Sequence, residues 1–260
     1  ISDERFSGLN GLWTLKSELK PFANHAFVVL GFLSETRVLM RSEDGFEDVS
    51  IASLFDIHKR TLLCDTVGNL TFVQVTSNTV RIIQFEFSTL NGQLTSKVLC
   101  EWSSDQGSIS VACYKQGHLL LSMSQGSIVK RLRIDPHTFA VKEEANTVLS
   151  DDASSFEMIV HHDEPSASIA FVGAYNGTIQ VLSLETLQHV SHSEPFTNGN
   201  SNSEQSITIV QSMLVDRNVL YVGLRDGTLL LYSITYLQNQ ALLKKILSRK
   251  IGLLPVSLVA

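Results

Sequence analysis

Cysteine is scarce in this chain: Cys64, Cys100 and Cys113 form neither a Cys-x-x-Cys pair nor an even set. That argues against a disulfide framework or a zinc knuckle, and for free thiols packed as small apolar side chains in a reducing compartment. Charge is sparse as well. Only 18% of residues are charged, and 20 Lys+Arg against 26 Asp+Glu leave a net charge of −6. Displacing counterions from phosphates needs a basic footprint, so broad nucleic-acid binding is disfavoured and such contact is expected at most indirectly. No apolar run approaches the roughly 18 residues of a membrane helix, and no charged-then-apolar leader is present, so neither a membrane span nor a signal peptide is expected. The chain starts at Ile1 rather than Met and stops inside Pro255–Ala260, which reads as a piece of something longer.

The chemistry of an enzyme is missing too. His161-His162-Asp163-Glu164 is the one dense group of metal-ligand types, and neighbours on an extended chain point to opposite sides, so a solvated loop is expected there. Asp151-Asp152 and Glu143-Glu144 read as solvated turn or loop charges. Ser34-Glu35 and Asp56…His58 lack a third partner at any recognisable spacing, and no glycine-rich stretch has the strand-to-helix setting of a phosphate loop. No catalytic residue, metal or cofactor is expected.

What the chain does have is a hairpin pattern that returns five times: an apolar run, a tight polar turn, Thr or Ser, then a second apolar run. The copies are Val28–Leu39, Val73–Ile83, Leu120–Val129, Phe171–Ile179 and Tyr221–Leu229. The residue before the Thr or Ser is Glu35, Asn78, Gly126, Gly177 and Gly227, at spacings of 43, 48, 51 and 50. A period of roughly 40–50 residues with several strands per unit is the signature of a β-propeller. No Trp-Asp occurs and Gly-His does not recur, Gly117-His118 being its single instance, so the repeating signature of WD40 blades is absent and the propeller lies outside that family. The fold expected is all-β, with four-stranded antiparallel blades.

Further strands are expected at Leu99–Trp102, Ser108–Cys113, Glu157–Val160 and Ile207–Leu214. Asp44-Gly45, Asn91-Gly92, Asn176-Gly177 and Asp226-Gly227 suit tight hairpin turns, which need positive φ. Gly31, Gly173 and Gly223, each four residues ahead of its turn marker, predict close approach of neighbouring strands. Where Glu35 and Asn78 replace the turn glycine, the turn must differ in type or tolerate a left-handed residue. Phe196–Ser206 is too polar to pack. Tyr236–Lys245 is the best helix candidate, or equally a turn leading into a strand. Trp13 and Trp102 are expected to fill core or inter-blade space.

Gly11–Lys16, Phe32–Leu39, Val73–Arg81, Ile109–Ala112 and Leu253–Leu258 appear in an order that resembles a three-propeller family. Its members are the large subunit of the UV-damaged-DNA-binding complex, a large splicing scaffold and a large polyadenylation-specificity scaffold. Glu86–Lys97 and the Asn/Ser loop near residue 200 depart from that pattern. The resemblance implies that residues 1–22 are a strand linking neighbouring propellers and 23–260 part of the second propeller. About five of seven blades would be present, with the missing ones after residue 260. It further implies a non-catalytic scaffold in a multi-subunit complex of the nucleus, and additionally of the cytoplasm. Its partners would be a cullin N-terminal region and substrate receptors, in DNA repair or chromatin regulation. Two alternatives stay open: a scaffold of pre-mRNA splicing or 3′-end processing, and a propeller enzyme, which would need an acidic or metal-lined channel. Hairpin tips carry contacts on propellers, so Tyr175, Asn176, Arg225 and Asp226, on the tips richest in Tyr and Arg, are the candidate protein-binding residues.

Overall fold

The structure, a computed structural model, describes residues 8–16, 27–42, 45–87, 94–192, 208–237 and 240–258. Its strands form five four-stranded sheets, each an up-and-down meander in which order along the sheet follows order along the chain. The first holds β1 (Leu9–Leu15), β2 (Phe27–Phe32), β3 (Thr36–Ser42) and β4 (Gly45–Asp48). The second holds β5 (Thr61–Gly68), β6 (Thr71–Thr76), β7 (Thr79–Phe87) and β8 (Leu94–Ser103). The third holds β9 (Ile109–Lys115), β10 (His118–Met123), β11 (Ile128–Ile134) and β12 (Val141–Val148). The fourth holds β13 (Ala153–Ile159), β14 (Ile169–Ala174), β15 (Ile179–Ser183) and β16 (His189–His192). The last holds β17 (Val210–Asp216), β18 (Val219–Leu224), β19 (Thr228–Leu237) and β20 (Gln240–Lys250). These sheets are the blades anticipated from the repeat.

The five recurring hairpins are, in every blade, its two middle strands. Two of those strands are buried on both faces along their whole length, all six residues of β6 and all six of β14, whereas β3 exposes Arg37 and Arg41 on one side. The outermost strand reads differently. Along β12, half-buried and exposed residues alternate strictly, the mark of a strand with one face in water.

The chain divides into two compact units, 1–119 with 133–142 and 120–132 with 143–260. In the first, Phe27 stacks on Phe85 at 4.7 Å and meets Phe72 edge-on at 5.6 Å, within a core that includes Leu15, Val29, Val38 and Ile83. Burying a side chain of this size contributes about 1.5–3 kcal/mol. In the second, Phe171, Ile179, Val181, Leu220, Val222, Tyr232 and Ile234 form the core.

One device repeats at the start of the innermost strand. The pairing register slips at Leu9/Gly11, Thr61/Leu63, Ala153/Ser155 and Val210/Ser212, a bulge each time. Beside three of these bulges sits the close-approach glycine, Gly31, Gly173 or Gly223, while β6 has none. A Cβ on Gly31 would lie 2.8 Å from the Trp13 ring and 3.3 Å from the Thr61 carbonyl, and one on Gly173 2.5 Å from Val210 Cγ1. On Gly223 it would collide with the Val256 carbonyl, so the segment after β20 passes this glycine as Val210 passes Gly173. Trp13 thus packs over Gly31 and against the first unit's core.

One open alternative is decided and one expectation is corrected. Tyr236–Lys245 holds no helix in its described part but the turn leading into a strand that the sequence equally allowed. Tyr236 pairs with Ala241 and Leu237 with Gln240, closing the β19–β20 hairpin, and cross-strand pairing outweighs the local helix propensity of Leu, Gln and Lys. Glu143 and Glu144 are not loop charges but sit on β12 as partners of two buried cations. Lys130, its side chain 3% exposed, meets Glu143 at 3.0 Å, and Arg131 meets Glu144 at 2.9 Å. The expected insert at Glu86–Lys97 contributes its ends to β7 and β8. Asp44, Asn91-Gly92, Phe196–Ser206 and most of the expected 1–22 link lie outside the described residues; within the link, Leu9–Leu15 pairs with β2 as β1.

Candidate functional site

Five hairpin tips separate the middle strands, and the backbone ties them to the connections between blades. The carbonyls of Asn78, Ser127 and Gly227 accept N–H groups from Ser104, Leu149 and Ile251, the residues that leave the outer strands. In the first blade the bond runs the other way, from Thr36 N–H to the Ile57 carbonyl. Tyr175 N–H donates to the Asp152 carbonyl and Arg225 N–H to that of Ile209, so these two tips are held by the same bond at the same position.

Sequence reasoning grouped Tyr175, Asn176, Arg225 and Asp226 as one class, and the structure separates them into two. Asn176 and Asp226 build the turns. Asn176 Oδ1 accepts Thr178 N–H at 3.1 Å and its hydroxyl at 2.7 Å; Asp226 Oδ1 accepts Thr228 N–H at 3.0 Å. Asp226 also faces Lys250 at 3.6 Å. Such Asx turns hold the short loop in shape so that the following glycine can adopt positive φ, 75° at Gly177 and 91° at Gly227. Tyr175, 48% exposed, and Arg225 are the side chains the turns leave in solvent. The tips therefore offer a Tyr and an Arg on rigid supports, the residue types and setting that suit interface anchors.

Two exposed features escaped the sequence reading. Glu35, Arg37, Asp48, Ser50, Ile57 and His58 line an open depression of about 620 Å³ in the first unit. Glu35 there binds Arg37 at 3.0 Å, Ser50 Oγ accepts Val38 N–H, and Asp56 is engaged by Lys59 at 2.8 Å. The other is the apolar stretch after β20: Ile251, Leu253 and Leu254 are exposed, Leu253 at 87%, beside the Arg225–Asp226 tip to which Gly252 N–H is bonded through the Gly227 carbonyl. Its signal was present in Leu253-Leu254-Pro255, where a proline stops strand pairing beside two leucines.

The buried thiol of Cys64 is held inert. Cys64, Cys100 and Cys113 are free thiols; burial, with Asp65 beside it, pushes the Cys64 thiol up and keeps it protonated, hence a poor nucleophile. Burial also raises Asp65 and Tyr114. Among the described residues, no three His, Cys, Asp or Glu side chains come together to hold a metal, and no helix is long and apolar enough to cross a membrane. His161 stands edge-on to Tyr236 at 5.9 Å, while His162, Asp163 and Glu164 are exposed.

Comparison with known proteins follows the same lines. DNA damage-binding protein 1 of Oryza sativa subsp. japonica is 31% identical over 187 residues, 70% of this chain and 16% of that protein. DNA damage-binding protein 1b of Arabidopsis thaliana is 30% identical over 191 residues, 72% of this chain and 16% of that protein. The chain thus spans 16% of the length of these relatives. The crystal structure of Saccharomyces cerevisiae Sqt1 matches over 92% of this chain and 62% of its own, with a TM-score of 0.63 at 11% identity, a likeness of fold alone. The model of the RSE1/DDB1/CPSF1 second beta-propeller matches residues 1–259, and the chain belongs to that family.

Proposed function

We propose that this chain is a non-catalytic interaction propeller of a multi-subunit assembly, the cullin-facing arm of a ubiquitin-ligase adaptor that serves DNA repair or chromatin regulation in the nucleus. Residues 1–22 act as the link from a neighbouring propeller and 23–260 as part of the second. The observation that carries the reading is the division of labour at the two tips, where Asn176 and Asp226 fix the turns and leave Tyr175 and Arg225 exposed. Relatives named DNA damage-binding protein 1 favour the repair setting over the splicing and 3′-end alternatives. In this role Tyr175 and Arg225 contribute desolvated anchors to a helical partner surface, and the rest of the tip face excludes water around them.

The test is co-elution of the full natural polypeptide with the N-terminal helical region of a cullin, alongside the Tyr175→Ala and Arg225→Ala variants. A stable complex is expected, weakened about tenfold or more by each variant, the scale of an interface anchor of roughly 1.4 kcal/mol or above. A complex indifferent to both variants removes the tips from the interface. A folded protein that forms no complex overturns the cullin assignment and makes an RNA-processing scaffold the better reading.

A further inference from the structure

The last blade ends in a strand unlike the outer strand of any other blade. β4 and β16 have four residues each, and the charges of β8 and β12 are paired or mixed: Lys97 with Glu86, Glu101 with Arg81, Glu143 and Glu144 with Lys130 and Arg131. β20 runs for eleven residues and carries Lys244, Lys245, Arg249 and Lys250 with no acid, in a chain whose net charge is −6. Lys250 faces Asp226, while Lys244, Lys245 and Arg249 have no carboxylate partner among the described residues. β20 closes the sheet order, so its far edge pairs with no described strand. Only its beginning is engaged, where Ser191 Oγ donates to the Ala241 carbonyl at 2.6 Å. From Leu242 onward, alternate N–H and C=O groups face outward.

The register fixes which side chains share a face. Leu243, Lys245 and Ser248 oppose Ile234, Tyr232 and Leu230 on the face that buries those three. Leu242, Lys244, Leu247 and Arg249 oppose Thr235, Ser233, Leu231 and Leu229 on the other, with Ile246 as the extra residue of a bulge. That second face therefore alternates apolar and cationic along the open edge. A copy of β20 laid parallel and in register would set cation beside cation, and one laid antiparallel at full overlap would set Lys244 against Leu247 and Leu242 against Arg249, so neither pairing matches the charges. Paired with an extended segment carrying apolar and acidic residues at alternate same-face positions, it would complete the ladder and match every charge.

We infer that the free edge of β20 is a strand-addition site for an extended segment of a partner protein whose side chains on one face alternate apolar and acidic. Backbone pairing supplies the affinity, and Lys244 and Arg249 select the sign of the partner. A nucleic-acid backbone would satisfy the cations but leave the amides and Leu242 and Leu247 unused.

A capped, fluorescein-labelled nine-residue peptide, Val-Thr-Glu-Thr-Val-Thr-Glu-Thr-Val, titrated with the full natural polypeptide tests the site by anisotropy. Saturable binding is expected, weakened about tenfold or more by Lys244→Glu with Arg249→Glu, by lysine in place of the peptide's glutamates, and by N-methylation of its alternate amides. The last two controls leave the protein untouched, so they hold even if the double variant unfolds. The inference is overturned by no saturable binding, by equal binding of the N-methylated peptide, or by single-stranded DNA of the same length displacing the peptide at lower concentration.

Discussion

The hairpin tips of the first two blades and those of the last two do the same job with different residues. In the last two, a glycine at positive φ closes the turn, and Asn176 or Asp226 captures the N–H of the following threonine. In the first two, Glu35 and Asn78 keep ordinary φ values, and the threonine works through its hydroxyl instead. Thr36 Oγ1 donates to the Lys59 carbonyl and meets Thr61 Oγ1, each at 2.8 Å, while Thr79 Oγ1 meets Thr76 Oγ1 at 2.7 Å. What is repeated is therefore the post-turn threonine and a backbone bond between the tip and a connection between blades. The glycine is one of two ways to reach them.

Substitutions can break that equivalence. The largest effect is expected at Gly227, where φ is 91° and an added Cβ would strike the Gly252 carbonyl. Gly227→Val combines left-handed strain with a backbone clash and should cost about 3 kcal/mol in urea unfolding. Asn78→Val, at ordinary φ, should cost well under half of that. Next comes Thr61→Val in the first unit. It leaves the buried Gln74 amide without its 2.8 Å partner and removes the contact to Thr36, at a cost of about 2 kcal/mol; if the glycine-free tips did not rely on these hydroxyls, the loss would stay below ~0.5 kcal/mol. Asp226→Ala loses one turn bond and Asn176→Ala two, and each should cost about 1 kcal/mol or somewhat more, with the midpoint of unfolding as the readout. Tyr175→Ala should leave stability within ~0.5 kcal/mol, since its side chain is not part of the turn. That small value sharpens the contrast between residues that shape a tip and residues that use it.

The same contrast explains what could be read from the chain. Middle strands such as β14 were legible because burial on both faces writes a continuous apolar run, and Gly177 and Gly227 announced their turns. The β19–β20 hairpin was legible only as one of two alternatives: Leu242, Leu243, Lys244 and Lys245 have helical composition, and pairing with Thr235 to Tyr232 holds them extended. The partners of Lys130 and Arg131 were hidden for a related reason. Glu143 and Glu144 lie 13 residues further on, across a turn, a distance that leaves no local mark. At the candidate site, the sequence showed which tips carry Tyr and Arg. It could not show that Asn176 and Asp226 are consumed by their own turns, because an Asx turn and an exposed carboxamide look alike until the N–H that fills them is located.

The carbonyl bonds from tip to connection have a consequence for inheritance. They are made by backbone, so they survive almost any change in the side chains they carry. A lineage can rewrite position 175 or 225 without moving either tip, and so exchange partners while keeping the frame. Relatives about 30% identical can then share five blades yet present different faces, and selection on binding need never reopen the question of folding.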